Sequence, residues 1–407
     1  MKIIKLLSFI ILLSSSELQA QISLVGASVN TSTGSIDILK WQALDSASMT
    51  SYPTILTGYL FNSSLFNAYN SNYYLTGITS TSGGLLSFNT VTNEATLSPY
   101  STFSNITEID MSTGKIYTLT SDSTGYISVN EFDITSGTDS LLGVISEPGI
   151  QGIVTDATSF DSNNGILYYI GYDGGSSNCL YTIPVRDPVF SWSKTTLLTT
   201  APGNNFSSVN YDNVNNIIYA SNAEFDSAFN YLGNKVVEIN KTTGEVIARG
   251  ALVGFPWFVG GSSAFDQYSG SLLLVGIDTN NVQRMIVFDT YNNTYQTGFV
   301  PGMVSEIVCD NYSFAQMAYG TAASLDEKGH TEISIFPNPA SDKFIVKNSN
   351  AVEKSTLKIY NLNGRVLLSR EIQNTDTEIS TNILPKGVYL VNIQNQNVTQ
   401  TKKLVIQ

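Results

Sequence analysis

Apolar and polar positions alternate with a period of two along most of this chain, and Gly, Asn, Asp or Ser interrupts the alternation every few residues. Short alternating runs bounded by such residues predict β-strands joined by tight turns. No stretch longer than a few residues places apolar side chains at i, i+3, i+4 and i+7, so almost no helix is expected. The strand positions are rich in aromatic residues, with 22 Tyr and 19 Phe, which suit a pleated surface. The fold class expected is all-β.

Over residues 22–320 the strands fall into a degenerate repeat. Its first half is an aromatic or apolar residue, then Asp or Asn, a short turn, and a strand often carrying Tyr. It appears at Phe66-Asn67, Ile109-Asp110, Phe160-Asp161, Tyr211-Asp212, Phe265-Asp266 and Cys309-Asp310, with spacings of 43, 51, 51, 54 and 44 residues. A second half recurs at Phe88-Asn89, Phe132-Asp133, Ile239-Asn240 and Phe288-Asp289. A period of this length with about four short strands per unit is that of a β-propeller blade. The short acidic side chain can bond backbone N–H groups just ahead and start the turn, and the aromatic before it points between blades. Six blades are expected, with a seven-bladed ring or a pair of β-sandwiches as alternatives. The sixth unit runs out near Gly320, so the segments 22–29 and 36–41 at the chain start are expected to complete it beside 313–318. In this register Cys179 and Cys309 lie on opposite sides of the ring, too far apart for a disulfide.

Behind a polar linker at 321–331, residues 332–407 read as a small Ig-like β-sandwich. Seven short strands can be drawn there, with Asn363-Gly364 as a two-residue hairpin turn and Pro385-Lys386-Gly387 as a second turn. The blocks Phe336-Pro337-Asn338-Pro339, Asn363-Gly364, Gly387-Val388-Tyr389 and Lys402-Lys403 carry a resemblance. The segment resembles the type A C-terminal sorting domain of cargo for the Bacteroidetes type IX (Por) secretion system. The resemblance implies that Pro337, Asn338, Pro339, Gly364, Gly387, Tyr389, Lys402 and Lys403 form the sorting motif. It further implies that the partner is the type IX machinery, and that the tail is cut off in transit, with the cargo left on the outer surface or released.

The first twenty residues fit a signal peptide: Lys2 and Lys5, an apolar run from Leu6 to Leu13, and Ala20 before the cut. The run is too short for a permanent membrane span, so membrane insertion is not expected. Charge divides the chain. Residues 21–320 hold 8 Lys and Arg against 24 Asp and Glu, a net of −16, whereas 321–407 hold 10 against 8, a net of +2. A body so acidic repels nucleic acid and anionic membranes.

Candidate chemistry is sparse. The sole histidine, His330, lies in the linker, which excludes a Ser-His-Asp triad or a His-ligated metal in the ring. The recurrent Asp residues read as turn formers. Carboxylates near the starts of the innermost strands, Glu108, Asp156 and Glu306, are the candidate metal ligands, and Ca2+ is the ion they suit. Ser64, Thr107, Thr158, Ser208 and Ser263 share that zone and are expected to line one mouth of the channel, where propellers usually bind ligands. Trp257 precedes such a zone and suits stacking on a sugar or peptide, or packing between blades. Two function classes remain, and the balance favours the first. One is an exported recognition propeller for an extracellular glycan, peptide or surface component. The other is a hydrolase or lyase of lactonase-like architecture using a divalent cation or carboxylates. A purely structural surface-layer component is a third.

Overall fold

Alternation becomes strand throughout the computed structural model, which describes 22–319 and 333–406 apart from short breaks. The breaks fall at 31, 33, 58–59, 69, 79–82, 101–104, 122–124, 148–155, 174–176 and 301–302, and in the tail at 337–339, 349–354, 361–365, 373–375, 383 and 395–398. The proposed signal segment and the motif positions Pro337, Asn338, Pro339 and Gly364 lie outside the described residues. The chain divides into two units, Met1–Ala322 and Ala323–Gln407.

The first unit holds six four-stranded antiparallel sheets. Five are built from consecutive strands and begin with Leu60–Asn67, Asn105–Ile109, Thr158–Asp161, Gly203–Asp212 and Trp257–Asp266. The sixth joins the two ends of the unit: Val304–Cys309 pairs with Ser23–Val29, which continues into Ser35–Gln42 and Asp45–Thr57. Each first strand adjoins the next, and the series returns from Val304–Cys309 to Leu60–Asn67. The inner strand of each sheet is a sheet edge, and the cycle places these edges beside one another, where they are short and protected. The expected closure by the chain start is present, but its partner is Val304–Cys309 and not 313–318. Residues Tyr312–Tyr319 form a short helix. The second position of that sheet is already taken by Ser23–Val29, so the chain beyond Asp310 has no strand to pair with.

Local turn chemistry accounts for the strand-ending Asp residues. Asp161 Oδ1 accepts the N–H groups of Asn163 and Asn164 at 3.0 Å, and Asp212 Oδ1 accepts those of Val214 and Asn215 at 2.9 Å. Asp110 and Asp266 accept equivalent bonds. The aromatic before the Asp packs between sheets. Phe160 stacks on Tyr117 of the preceding sheet, Tyr211 on Tyr168 and Phe265 on Tyr219, with ring centroids 5.2, 5.5 and 5.8 Å apart. Cys179 and Cys309 are both buried and free.

The residue after each Asp makes a second, longer-range connection. The Met111 N–H donates to Ser162 Oγ at 2.9 Å, the Ser162 N–H to Asn213 Oδ1 at 2.7 Å, the Asn213 N–H to Gln267 Oε1 at 2.8 Å and the Gln267 N–H to Asn311 Oδ1 at 3.0 Å. The amides also reach back: Gln267 Nε2 donates to the Tyr211 carbonyl at 2.6 Å and Asn311 Nδ2 to the Phe265 carbonyl at 2.9 Å. A polar hoop thus ties five sheets together at the end where the inner strands finish. It is interrupted at Ala68, which has no side-chain acceptor. There the helix packs Phe314, Ala315 and Tyr319 with Phe66, Ala68, Met111 and Val308. The Tyr319 hydroxyl donates to Asn213 Oδ1 at 3.4 Å.

The second unit has a three-stranded sheet (Ile333–Phe336, Lys343–Asn348, Asp376–Ser380) and a four-stranded one (Val366–Ile372, Ser355–Tyr360, Gly387–Gln394, Thr399–Ile406). Phe344, Val346, Leu357, Ile359, Val391, Ile393 and Leu404 form its core. Within the motif, the Tyr389 hydroxyl donates to the Pro385 carbonyl at 2.5 Å, which pins the turn to the strand that follows it. Lys402 and Lys403 lie in the last strand; their side chains are outside the described part. Among the described residues no helix is long and apolar enough to cross a membrane.

The hoop gives a stability prediction. Asn213→Ala removes the acceptor of a buried N–H, so unfolding in urea should show a loss of about 1–3 kcal/mol. An unchanged midpoint would mean that the hoop contributes nothing.

Candidate functional site

The inner strands are irregular at a common level, a few residues before their turn-forming Asp or Asn. Register shifts interrupt their pairing between Phe61 and Ser63, Ile106 and Glu108, Ser207 and Asn210, and Phe258 and Ser263. The closing strand shows the same where it meets Val25 and Ala27. Asp156, Ser208, Gly261 and Glu306 adopt positive φ there, at 62°, 53°, 70° and 53°. A bulge re-aims side chains that would otherwise alternate across the sheet. Non-glycine residues held at positive φ are costly and concentrate at functional sites.

The result is a cavity of about 190 Å³ among the inner strands, whose lining sets hydroxyls and three carboxyls among apolar side chains such as Leu65, Phe160 and Ile307. Ser64, Thr158 and Ser263 line it as expected, and so do Glu108, Asp156 and Glu306. Ser263 Oγ donates to Asp156 Oδ1 at 2.8 Å and in turn accepts from Asn210 Nδ2 at 2.9 Å. Gly261 is required by space as well as by φ, because a Cβ there would lie 2.2 Å from Glu306 Oε1. From behind, the Tyr73 hydroxyl donates to the Glu306 carbonyl at 2.8 Å.

Burial controls the charge of the three acids. It pushes Glu108 up to about 8, with the Thr158 hydroxyl pulling back and the Asp156 charge adding. It pushes Asp156 up to about 7 against hydrogen bonds from Ser263 and Ser208. Glu306 rises to about 8 by burial, helped by the Asp156 charge and opposed by Ser64. At pH 7 Glu108 and Glu306 therefore hold their protons and Asp156 stands near its midpoint. Among the described residues, two buried atoms at the site have no hydrogen-bond partner, Asp156 Oδ2 and Ser159 Oγ.

Other expected positions fall elsewhere. Ser208 is buried and supports Asp156 without lining the cavity. Thr107 lies in the strand Asn105–Ile109, with its side chain outside the described part. Trp257 is 66% exposed at the head of its strand, so it neither packs between sheets nor lines the cavity. Glu108, Asp156 and Glu306 share one cavity, yet among the described residues no three His, Cys, Asp or Glu side chains are grouped so as to hold an ion. The hydroxyl interactions draw each carboxyl to a different side, Glu108 to Thr158, Asp156 to Ser208 and Ser263, and Glu306 to Ser64. Sequence reasoning missed Asn210, Gly261 and the hoop. The one signal for the hoop was the polar residue following four of the five Asp positions, at Ser162, Asn213, Gln267 and Asn311.

Comparison with known proteins supports the fold of the body and identifies the tail. TolB from Acinetobacter baumannii is 12% identical and covers 72% of this chain and 67% of its own, with a TM-score of 0.52. That likeness concerns fold alone: an all-β, propeller-like body. PorZ of Porphyromonas gingivalis, described as an essential bacterial surface component of the type-IX secretion system, is 13% identical over 95% of this chain and 58% of its own. Its TM-score of 0.35 is too low to bear on the fold. A funoran endo-beta-hydrolase of Wenyingzhuangia aestuarii is 28% identical over 113 residues, 26% of this chain and only 15% of that protein. Residues 334–407 match the family described as the secretion system C-terminal sorting domain, Por_Secre_tail. The tail is therefore a type IX sorting domain, and it addresses the chain to the cell surface or the extracellular space.

Proposed function

We propose that this chain is an exported six-bladed propeller that recognises a small extracellular ligand in its channel, with an Ig-like tail as its address. Six four-stranded sheets joined in a cycle support the blade count, and the two-sheet tail supports the Ig-like reading. The boundaries that go with it are a signal peptide at 1–20, a ring at 21–320, a linker at 321–331 and a tail at 332–407. The observation that carries the reading is the cavity at the bulged level of the inner strands, where hydroxyls and carboxyls converge. Strain and buried polar groups are costly to retain for folding alone. The net charge of −13 argues against nucleic acid as the ligand.

A second reading has one observation in its favour. Carboxyls that hold protons near neutrality are what a general acid requires, so a carboxyl-dependent hydrolase or lyase fits the same cavity. Turnover of glycoside or lactone substrates that disappears in Glu108→Gln would establish it. No turnover above the variant's level would leave recognition.

For recognition, thermal unfolding of the full chain is measured against neutral sugars, amino sugars and short peptides. A ligand at one hundred times its Kd stabilises by about 2.7 kcal/mol. A rise in Tm that Ser263→Ala abolishes is expected; no rise with any compound sinks the reading.

The acids also fix a pH dependence. Their folded pKa values lie above the unfolded ones, so between about pH 4 and 8 the folded chain binds more protons than the unfolded chain. Stability from these groups is complete at the acid end of that window and falls as pH rises, by at most about 1.4 kcal/mol per pH unit for each proton. Asp133, Asp226 and Asp278 are shifted the other way, by hydrogen bonds, and act below this window. Denaturant titrations from pH 5 to 8.5 should show the decline. The triple variant Glu108→Gln, Asp156→Asn, Glu306→Gln should flatten it, and a decline that persists in the variant would locate its source elsewhere.

A further inference from the structure

We infer that the ligand of the channel site is a small hydroxylated molecule carrying a protonated primary amine, of the amino-sugar class. The inference rests on the recognition reading above and narrows it. Its first ground is the lining: three carboxyls line the cavity and no Lys, Arg or His does so among the described residues, so a cation can meet a carboxyl that ionises while an anion meets no cationic partner.

The second ground is independent of the acidic cluster. Asp156 Oδ2 is buried without a partner, and so is the hydroxyl of Ser159, a cavity-lining residue only 2% exposed. Unpaired buried polar atoms are rare in folded proteins and call for an explanation. A purely apolar ligand would leave both unpaired. An ammonium group supplies three N–H donors and no acceptor, which suits an orphan carboxylate oxygen.

Geometry separates an amine from a metal ion. Ca2+ needs six to eight oxygens at about 2.3–2.6 Å, and no three acidic side chains among the described residues are grouped for that. The cavity of about 190 Å³ is instead large enough for an ammonium group and several carbons, since a water molecule occupies about 30 Å³. The hydroxyls of Ser64, Thr158 and Ser263 then face the rest of the ligand, and hydroxyl groups on it can pair with them.

Binding must move a proton. The titratable residues lining the cavity are Glu108, Asp156, Glu306, Tyr211 and Cys309, with Tyr73 behind Glu306. Tyr73, Tyr211 and Cys309 are pushed up by burial and stay neutral. An arriving ammonium ion favours the ionised form of the carboxyl it meets, so that carboxyl gives up its proton to solvent and the ion pair forms.

Titration calorimetry on the full chain at pH 7 tests this, run in two buffers of different protonation enthalpy. Glucosamine is the probe, with glucose, N-acetylglucosamine, n-propylamine and Ca2+ as comparators. The expected result is glucosamine binding at least about tenfold tighter than glucose or N-acetylglucosamine, with proton release and weaker binding by n-propylamine. A tenfold difference corresponds to about 1.4 kcal/mol. Asp156→Asn and Glu306→Gln should each weaken glucosamine by a similar factor. Both replace carboxyls with isosteres, and circular dichroism confirms that each variant is folded. If glucose binds as well as glucosamine, the amine inference falls and channel recognition stands. If Ca2+ binds and competes with glucosamine, a metal site replaces it. If glucosamine binding survives both substitutions unchanged, the amine binds outside the channel and the inference is wrong. If nothing binds, here or among the wider set of compounds, both readings fall.

Discussion

Everything at the centre of the first unit depends on one pairing, that of Val304–Cys309 with Ser23–Val29. Leu24 faces Cys309 and Val25 faces Val308 across the joint, so the last inner strand is held by the first residues of the unit. With the cycle closed among the described residues, Glu108, Asp156 and Glu306 are brought to one cavity and lose their water together. The strand that carries Glu306 is paired with Ser23–Val29 alone among the described strands, so the burial of Glu306 rests on that pairing. The perturbed acids are thus a consequence of chain topology more than of any one contact.

Burying three acids works against folding, and the structure shows what offsets it. The stacked pairs Tyr117–Phe160, Tyr168–Tyr211 and Tyr219–Phe265 join neighbouring sheets, and the hoop through Ser162, Asn213, Gln267 and Asn311 joins them again near the axis. These stabilising features sit where the strands finish. The strained residues Asp156, Ser208 and Glu306 lie four or five positions before the turn-forming Asp161, Asp212 and Asp310. Local rules are kept at the turns and broken a few residues ahead of them, the pattern expected when a site is held open by a scaffold that could be more stable without it.

What the sequence disclosed follows the range of the physics involved. The blade repeat was legible because each Asp makes its turn with the next few residues, as Asp161 does with Asn163 and Asn164. The channel zone was legible in part because Ser64, Thr158 and Ser263 occupy comparable places in alternate units. The hoop was not, since Ser162 meets Asn213 only after a whole repeat has folded. The helix at Tyr312–Tyr319 was read as strand because its neighbours are strands; what decides it is that Ser23–Val29 already fills the place a strand would take. Trp257 has a residue type that suits both stacking on a ligand and packing between sheets, and its exposure speaks against the packing alone. The sorting tail was legible because its motif blocks, such as Gly387-Val388-Tyr389, are short stretches of local sequence.

The hoop and the acids share one space. Where the inner strands finish, the hoop stops at Ala68, and the helix brings Phe314, Ala315 and Tyr319 against that point, with the Tyr319 hydroxyl on Asn213. The cavity that holds Glu108, Asp156 and Glu306 is lined by Met111, Asn213, Gln267 and Asn311 as well. The residues that tie neighbouring sheets together therefore also bound the space in which the acids are buried, so scaffold and site cannot be varied independently.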